Sequence, residues 1–482
     1  MERRLDTWKS VLAGVGGSFL VLYVFVALRR LVYPFDLEWM EGGMVDQVRW
    51  ILAGHKLYVK PSIDFVPFIY NPLYFYVSAL VAKVTGVGYL PLRLVSFAAS
   101  LGTCALIYRL VRHETEDARL GVLGAGLYAA TFPKSVQFMD IARTDSLYVF
   151  LALAAVAVLR LHPTPRGRIA GAVLLVLSFL TKQSGALVAG AVCLALLWEH
   201  RKAAIPFVLV VAGGIGGSVF VLDHLHDGWY RFYAFELPST HQLVPFLWGG
   251  FWTDDVMGPM TLGIAFSAFF LVWRFSPLYL AAFAGAAAAA WSGRLHDGGW
   301  LNVVMPFFAV IALTAPIGLH CALLTVGESE SKNRDRAEAF LCGAFAVQLA
   351  LLAYDPRRMV PKAADKQAGL ELIEKIHAVP GEVFMPTHSY YPVIAGRRGY
   401  LHQMAVDDVL RGDAGVVGAV LKEEIRRALL SKRFSLVITD NDFFADEVRA
   451  GYRPIRKAVD KDGVFYPVTG VHYRPGELFV PR

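Results

Sequence analysis

The sequence predicts an all-α polytopic membrane domain of about eleven spanning helices, followed by a small soluble α/β domain. Three observations carry this. Of the 482 residues, 56% are hydrophobic and 18% charged, where soluble domains carry about 25% charged residues. The apolar residues fall in long runs, several of them near the roughly 20 residues that cross a bilayer. Past Tyr354 the composition becomes charged and turn-rich, with strand-like runs "EVFMP" (382–386) and "FSLVITD" (434–440) between helical patterns near 364–378 and 414–431. The expected division is therefore 1–353 for the membrane part and 354–482 for the tail.

In chain order the candidate spans are 10–29, 91–111, 119–133, 145–160, 168–181, 184–198, 205–222, 258–274, 277–292, 302–323 and 337–353. The first follows "MERRLDTWK", which looks like the charged start of a signal peptide. No small-residue cleavage site follows, so this span is expected to stay as a helix. Arg4 and Lys9, Arg109 and Arg112, Arg160 and Arg166, Arg201 and Lys202, and Arg334 and Arg336 all fall on one side. The positive-inside rule makes that side cytoplasmic, and an odd number of spans then places residues 354–482 outside. The net charge of +7 is mostly this inner basic rim rather than a nucleic-acid signal. All four cysteines lie inside candidate spans, and none has metal-ligand spacing.

Residues 33–90 form a long outer segment between the first two spans. In "EGGMVDQVRWILAGHKLY", Met44, Val48, Ile51 and Leu52 recur at helical spacing, which predicts a helix lying on the membrane surface and ending at Gly54. "NPLYFYVSALVAKVTG" (71–86) predicts a second juxtamembrane helix opened by Pro72. Directly after the first span, "VYPFDLEWMEGG" sets Asp36, Glu38 and Glu41 within six residues at the bilayer surface. Other outer segments bring Asp140, Arg143 and Asp145 ("FMDIARTDSLYVF"), Lys182 ("TKQSG") and Arg231. Burying a charge in a bilayer costs on the order of 3 kcal/mol, so acids and bases gathered at one face point to chemistry. A carboxylate takes a proton from an attacking hydroxyl or amine. Arg and Lys hold a phosphate leaving group and stabilise its developing charge.

"FDLEWMEGG", "AGHKLY", "YNPLYFYVSAL", "LRLVSFAAS", "ARTDSLYVF", "FLTKQSG" and "HDGGWLNVVMP", in that order over about residues 1–320, resemble the GT-C glycosyltransferases. Among these the chain is most similar to bacterial relatives of the protein O-mannosyltransferases and to the lipid A aminoarabinose transferases. The resemblance implies a GT-C fold and a base in the first outer loop. It also implies inverting transfer from a polyprenyl-phosphate sugar to a glycan, lipid or protein acceptor. Asp36 matches the first acid of that motif and Glu38 its companion, and these are the expected catalytic residues. Asp145 matches the acid that opens the fourth span. Related transferases carry a Lys before the Pro of the second juxtamembrane helix, where it binds the donor phosphate. Tyr70 and Asn71 stand there in this chain, so Arg143, Lys182 and Arg231 are the candidates to hold the phosphate, with Glu41 and Tyr70 also expected at the substrate. Such an enzyme would sit among the lipids of a bacterial inner membrane and use no cofactor; a divalent metal is not indicated.

Simpler readings stand beside these. Asp36 can be a solvated acid ending the first helix, Glu41 a first-turn acid of the surface helix, and Asp145 a helix-start acid. Asp140 is expected to pair with Lys134 or Arg143, and Lys182 reads equally as a snorkelling interfacial lysine. His224, His226, His241 and His296 lack zinc spacing, and "THSYYPVIAG" in the tail reads chiefly as packing. Two rival functions remain. A transporter or flippase of lipid-linked sugars would favour mid-membrane charges and an internal duplication; the other is a non-catalytic envelope scaffold.

Overall fold

The computed structural model describes residues 2–328, 333–412 and 415–482. A helix occupies each of the eleven predicted apolar segments. The chain opens with α1 (Glu2–Leu31) and passes through the outer segment in α2 (Glu41–Leu52) and α3 (Leu73–Thr85). It continues as α4 (Tyr89–Thr115), α5 (Ala118–Ala130), α6 (Asp145–Leu161), α7 (Pro165–Thr181), α8 (Gly185–His200) and α9 (Ile205–Leu225). Helices Gly258–Trp273, Pro277–Arg294, Met305–Gly327 and Arg334–Leu351 complete the bundle.

Among the described residues, five helical stretches are long and apolar enough to cross a membrane: Arg4–Leu31, Tyr89–Thr115, Gly185–Leu225, Leu247–Trp273 and Leu301–Gly327. The count becomes six if the bent pair Arg334–Leu351 and Pro356–His377 is one span. The other apolar helices are shorter. With 13 residues, α5 is about 20 Å long, short of a hydrocarbon core of about 30 Å. What holds these helices together is close approach rather than the hydrophobic effect, because lipid tails are as apolar as the helix faces. Gly16 of α1 and Gly126 of α5 lie back to back, and a Cβ on Gly126 would fall onto the Gly16 backbone. Met305–Gly327 runs almost wholly buried through the middle of the bundle, against α4, α5 and Gly258–Trp273.

The carboxy-terminal segment carries a four-stranded sheet. Its strands are β1 (Val383–Phe384), β2 (Leu436–Thr439), β3 (Tyr452–Lys457) and β4 (Glu477–Pro481), in spatial order β1-β2-β4-β3. β1 and β2 run parallel, and the other two pairings are antiparallel. Helices Ala363–His377 and Gly415–Leu430 match the two patterns expected there, with Ala414 outside the described residues. Phe35, Trp39 and Met44 of the first outer segment join Leu372, Val383 and Leu436 of this segment in one hydrophobic core.

That shared core corrects the expectation for α2. Residues Glu41 to Val48 are buried all round, Asp46 and Gln47 included, so α2 does not lie open on the membrane. The tail covers it: Ser389 Oγ donates to Asp46 Oδ2 at 2.6 Å. A Cβ on Gly43 would stand 2.7 Å from the rings of His402 and Phe68. The "EGG" sequence lets this cover come close.

Arg93, near the start of α4, is fully buried and fixes the path of the outer segment. It donates to the carbonyls of Arg30 (3.2 Å), Tyr33 (2.6 Å) and Phe35 (2.7 Å) and to both Glu41 oxygens (2.9 and 2.6 Å). Removing one partner of such a buried pair costs about 3–5 kcal/mol. Glu41→Ala should therefore lower the thermal midpoint of the purified protein well beyond what an exposed Glu→Ala change does, as read by a melting curve in detergent.

Candidate functional site

The Arg93 clamp presents the stretch between Phe35 and Glu41 so that its two remaining acids face different neighbours. Asp36 points to the carboxy-terminal segment. Its Oδ2 lies 2.7 Å from His388 Nδ1, and its amide donates to the Tyr391 hydroxyl at 3.3 Å. The other ring nitrogen of His388, Nε2, is 2.7 Å from Asp440 Oδ2. His388 also stacks on Tyr391, with ring centroids 4.9 Å apart. The second oxygen of Asp36, Oδ1, is buried and has no hydrogen-bond partner. It faces Gly42, whose absent side chain leaves the room: a Cβ there would stand 3.3 Å from Oδ1.

Glu38 points into the bundle. Its Oε2 accepts from the Met40 amide at 3.2 Å and lies 3.5 Å from Arg143 Nη1. Arg143 in turn donates to the Tyr70 hydroxyl at 2.7 Å and stacks over the rings of Tyr70 and Phe138. Two residues on, Asp145 opens α6, and its Oδ1 accepts from Lys182 Nζ at 2.6 Å and Asn302 Nδ2 at 2.9 Å. Lys182 ends α7, and Asn302 precedes Met305–Gly327. Four separate outer segments thus bring Glu38, Tyr70, Arg143, Asp145, Lys182 and Asn302 into neighbouring contacts.

Burial sets the protonation of these groups. It pushes Glu38 up to about 8 against the opposing pull of Arg143, so Glu38 is largely neutral near pH 7. Asp36 is also raised, first by burial, with His388 pulling the other way. Burial alone would lower His388, but Asp440 and Asp36 on its two nitrogens outweigh that and push it up to about 10.

Several expected residues sit elsewhere. Glu41, expected at the substrate, is taken up by the fold: beside Arg93, its oxygens accept from the amides of Leu37 and Ala142, each at 2.7 Å. Asp140 pairs with Arg30 at 3.2 Å rather than with Lys134 or Arg143, because Arg30 at the end of α1 is buried beside it. Arg231 is 62% exposed at its side chain and spends its guanidinium on Glu236 at 2.8 Å; it touches neither acid group. Asn71 is buried and donates to the Phe179 carbonyl at 2.5 Å, tying α3 to α7. His226 and His241 spend ring nitrogens on the carbonyls of Leu222 and Asp408. Phe35 and Tyr391 pack edge to face beside Asp36, with ring centroids 5.5 Å apart, and a cavity of about 290 Å³ lies at the far end of the bundle by Glu114, Arg160, Arg274 and Tyr279.

Sequence reading missed His388, Asp440, Arg93 and Asn302 as site or scaffold residues. A signal for the first two existed. Both follow the carboxyl ends of the parallel strands β1 and β2, the edge at which open α/β sheets place their ligand-binding residues.

Known proteins share this architecture. Residues 66–222 match the family described as Dolichyl-phosphate-mannose-protein mannosyltransferase, within the GT-C group that the sequence motifs resemble. That stretch carries Tyr70, Arg143, Asp145 and Lys182, while Asp36 and Glu38 precede it. The structure of ArnT from Cupriavidus metallidurans in the apo state matches with a TM-score of 0.57 at 14% identity, over 96% of this chain and 97% of that chain. The structure of the same organism's ArnT bound to undecaprenyl phosphate matches with a TM-score of 0.54 at 13% identity, over 96% and 98%. At such identities the likeness is one of fold. No curated protein matches the sequence.

The His388 contacts have a pH signature. The folded value of about 10 lies above the ordinary value of about 6.5, so its stabilisation is complete below about 6.5 and is lost as pH rises through about 10. The groups facing it are Asp36, Asp440 and the stacked Tyr391, with Tyr473 near Asp440 and the buried His402 close enough to feel its charge. Between pH 7 and 10 the thermal midpoint of the wild type should fall more steeply than that of His388→Asn, in parallel melting curves.

Proposed function

We propose that the chain is an integral-membrane glycosyltransferase of the bacterial inner membrane. It moves a sugar from a polyprenyl-phosphate donor to a hydroxyl of an envelope glycan, lipid or protein acceptor at the outer face. The observation that carries this reading is the meeting of first-loop acids with cations from later outer loops: Glu38 with Arg143 and Tyr70, beside Asp145 with Lys182. The shared fold with ArnT, one structure of which holds undecaprenyl phosphate, supports a lipid-phosphate donor.

In this mechanism the Asp36 carboxylate takes the proton of the acceptor hydroxyl as its oxygen attacks the anomeric carbon. The bond from that carbon to the phosphate oxygen breaks, and polyprenyl phosphate leaves with the electron pair. Arg143 and Lys182 hold the departing phosphate, and attack from the opposite side inverts the anomeric centre. Tyr70 fixes the Arg143 guanidinium, and Asp145 fixes Lys182. Glu38, largely neutral beside Arg143, leaves the guanidinium charge available for phosphate. In relatives a Lys before the juxtamembrane Pro does this work; here Arg143 and Lys182 take its place.

The topology that fits is eleven spans with a cytoplasmic amino terminus, a membrane part over 1–353 and an extracytoplasmic tail over 354–482. The scheme requires no cofactor or metal. Its test is transfer from a panel of labelled polyprenyl-phosphate sugars by purified protein in proteoliposomes. Asp36→Asn should lower turnover by about 10²–10⁴-fold in protein that still folds, and a variant that transfers at the wild-type rate rules out Asp36 as the base. Arg143→Ala should cost about 10²–10³-fold in kcat/KM for the donor, and partial rescue by added guanidinium reports that the lost group is a phosphate-holding cation.

A further inference from the structure

From the chain of contacts Asp36–His388–Asp440 we infer that His388, held from behind by Asp440, is the positioning residue of the proposed base. It pins one oxygen of Asp36 and leaves the other, Oδ1, as the proton acceptor. This rests on the reading of Asp36 as base and adds to it the two tail residues that would make that carboxylate directional.

The geometry is specific. A carboxylate has two equivalent oxygens, and a base that must meet one hydroxyl gains from losing that freedom. Here Oδ2 is 2.7 Å from Nδ1 of an imidazole whose Nε2 is itself 2.7 Å from a second carboxylate. With a carboxylate at each nitrogen, the ring is held at both ends and cannot flip without breaking both contacts. Tyr391 fixes its plane by stacking, the two rings lying 12° from parallel. The side chains of Asp36 and Asp440 have no exposure and that of His388 has 2%. Water therefore does not compete for these contacts. The remaining oxygen of Asp36 is buried without a partner. An unpaired carboxylate oxygen in a dry site is costly, and of the two Asp36 oxygens Oδ1 is the one left over for an acceptor hydroxyl, with the Tyr89 hydroxyl close to the carboxylate.

The inference also assigns a task to the carboxy-terminal segment. His388 and Asp440 lie beyond β1 and β2, so the parallel strand pair sets their spacing, and the tail supplies a working part of the site as well as a cover.

The test compares Asp36→Asn, His388→Ala, His388→Asn and Asp440→Asn in the full-length protein, measuring sugar transfer, donor KM and melting point. The expected result is a fall in kcat of about tenfold or more for His388→Ala with donor KM unchanged. Part of that loss should return in His388→Asn, whose amide can still donate to Asp36, and part on adding imidazole to His388→Ala. Asp440→Asn should lower kcat by a smaller factor. Rescue by imidazole and by Asn is a readout that a docking role alone does not produce. If Asp36→Asn is inactive while both His388 variants and Asp440→Asn keep the wild-type kcat, the positioning role is wrong and the base assignment stands. If Asp36→Asn is fully active, the base assignment itself falls and this inference with it. Should His388→Ala fail to fold, the Asn variants at 388 and 440 decide by the same comparison.

Discussion

Arg93 uses all five of its N–H donors inside the protein, three of them on main-chain carbonyls at the end of α1 and just after it and two on Glu41. A guanidinium cannot shed its charge, so once it is buried its partners are obliged to stay. Asp36 and Glu38 lie between two of those partners, the Phe35 carbonyl and the Glu41 carboxylate. Their directions are inherited from a constraint in which neither takes part. A second buried pair, Arg30 with Asp140, anchors the same turn to the segment that carries Arg143. The first outer loop is therefore located relative to the later loops by charge pairing, and the hydrophobic contacts of α1 with α5 fix only the helices beneath.

The two acids then separate by neighbour. Asp36 meets a cation that belongs to the tail, and Glu38 meets a cation that belongs to the bundle. For the in-line displacement proposed above this separation matters, because a base and the groups that receive a leaving phosphate must stand on opposite sides of the reacting carbon. An ionised acid paired directly with Arg143 would compete with the phosphate that the proposal places there. Glu38 stands in that position, and its burial, which keeps it largely neutral near pH 7, removes the competition. Asp36, on the side of the tail, keeps its Oδ1 without a hydrogen-bond partner.

The apolar segments were legible because a bilayer imposes length and composition on every helix that meets it. A helix stands at each predicted segment, and both outer helices α2 and α3 lie close to where the pattern placed them. Arg143, Asp145 and Lys182 also stand out in the sequence, since each marks the edge of an apolar run. Partnership was not. Nothing local in the sequence says that Asp140 reaches Arg30, more than a hundred positions away, or that Arg231 prefers Glu236 five residues on. His388 was hidden for a related reason. "THSYYP" carries the composition of a packed turn, and its imidazole acquires meaning only when Asp36, 352 positions earlier, is folded against it. The surface placement expected for α2 failed because an amphipathic stripe cannot distinguish burial against lipid from burial under the tail.

Covering the first outer loop with the tail changes what its acids can do. At an open interface a carboxylate is solvated, and water screens any partner it has. Beneath Tyr390, Tyr391 and Phe465 the same group is dry, its contact with His388 is strengthened, and its unpaired oxygen becomes expensive. The tail secures this arrangement in two ways that reinforce each other. Phe35, Trp39 and Met44 contribute to the core of the sheet region, and His388, Ser389 and Tyr391 bond back to Asp36 and Asp46. Losing either set would weaken the other, because the polar contacts depend on a dry interface and the dry interface depends on buried polar groups being paired. The polar centre and the shared core are thus one cooperative unit, built half from the loop after α1 and half from the last hundred residues of the chain.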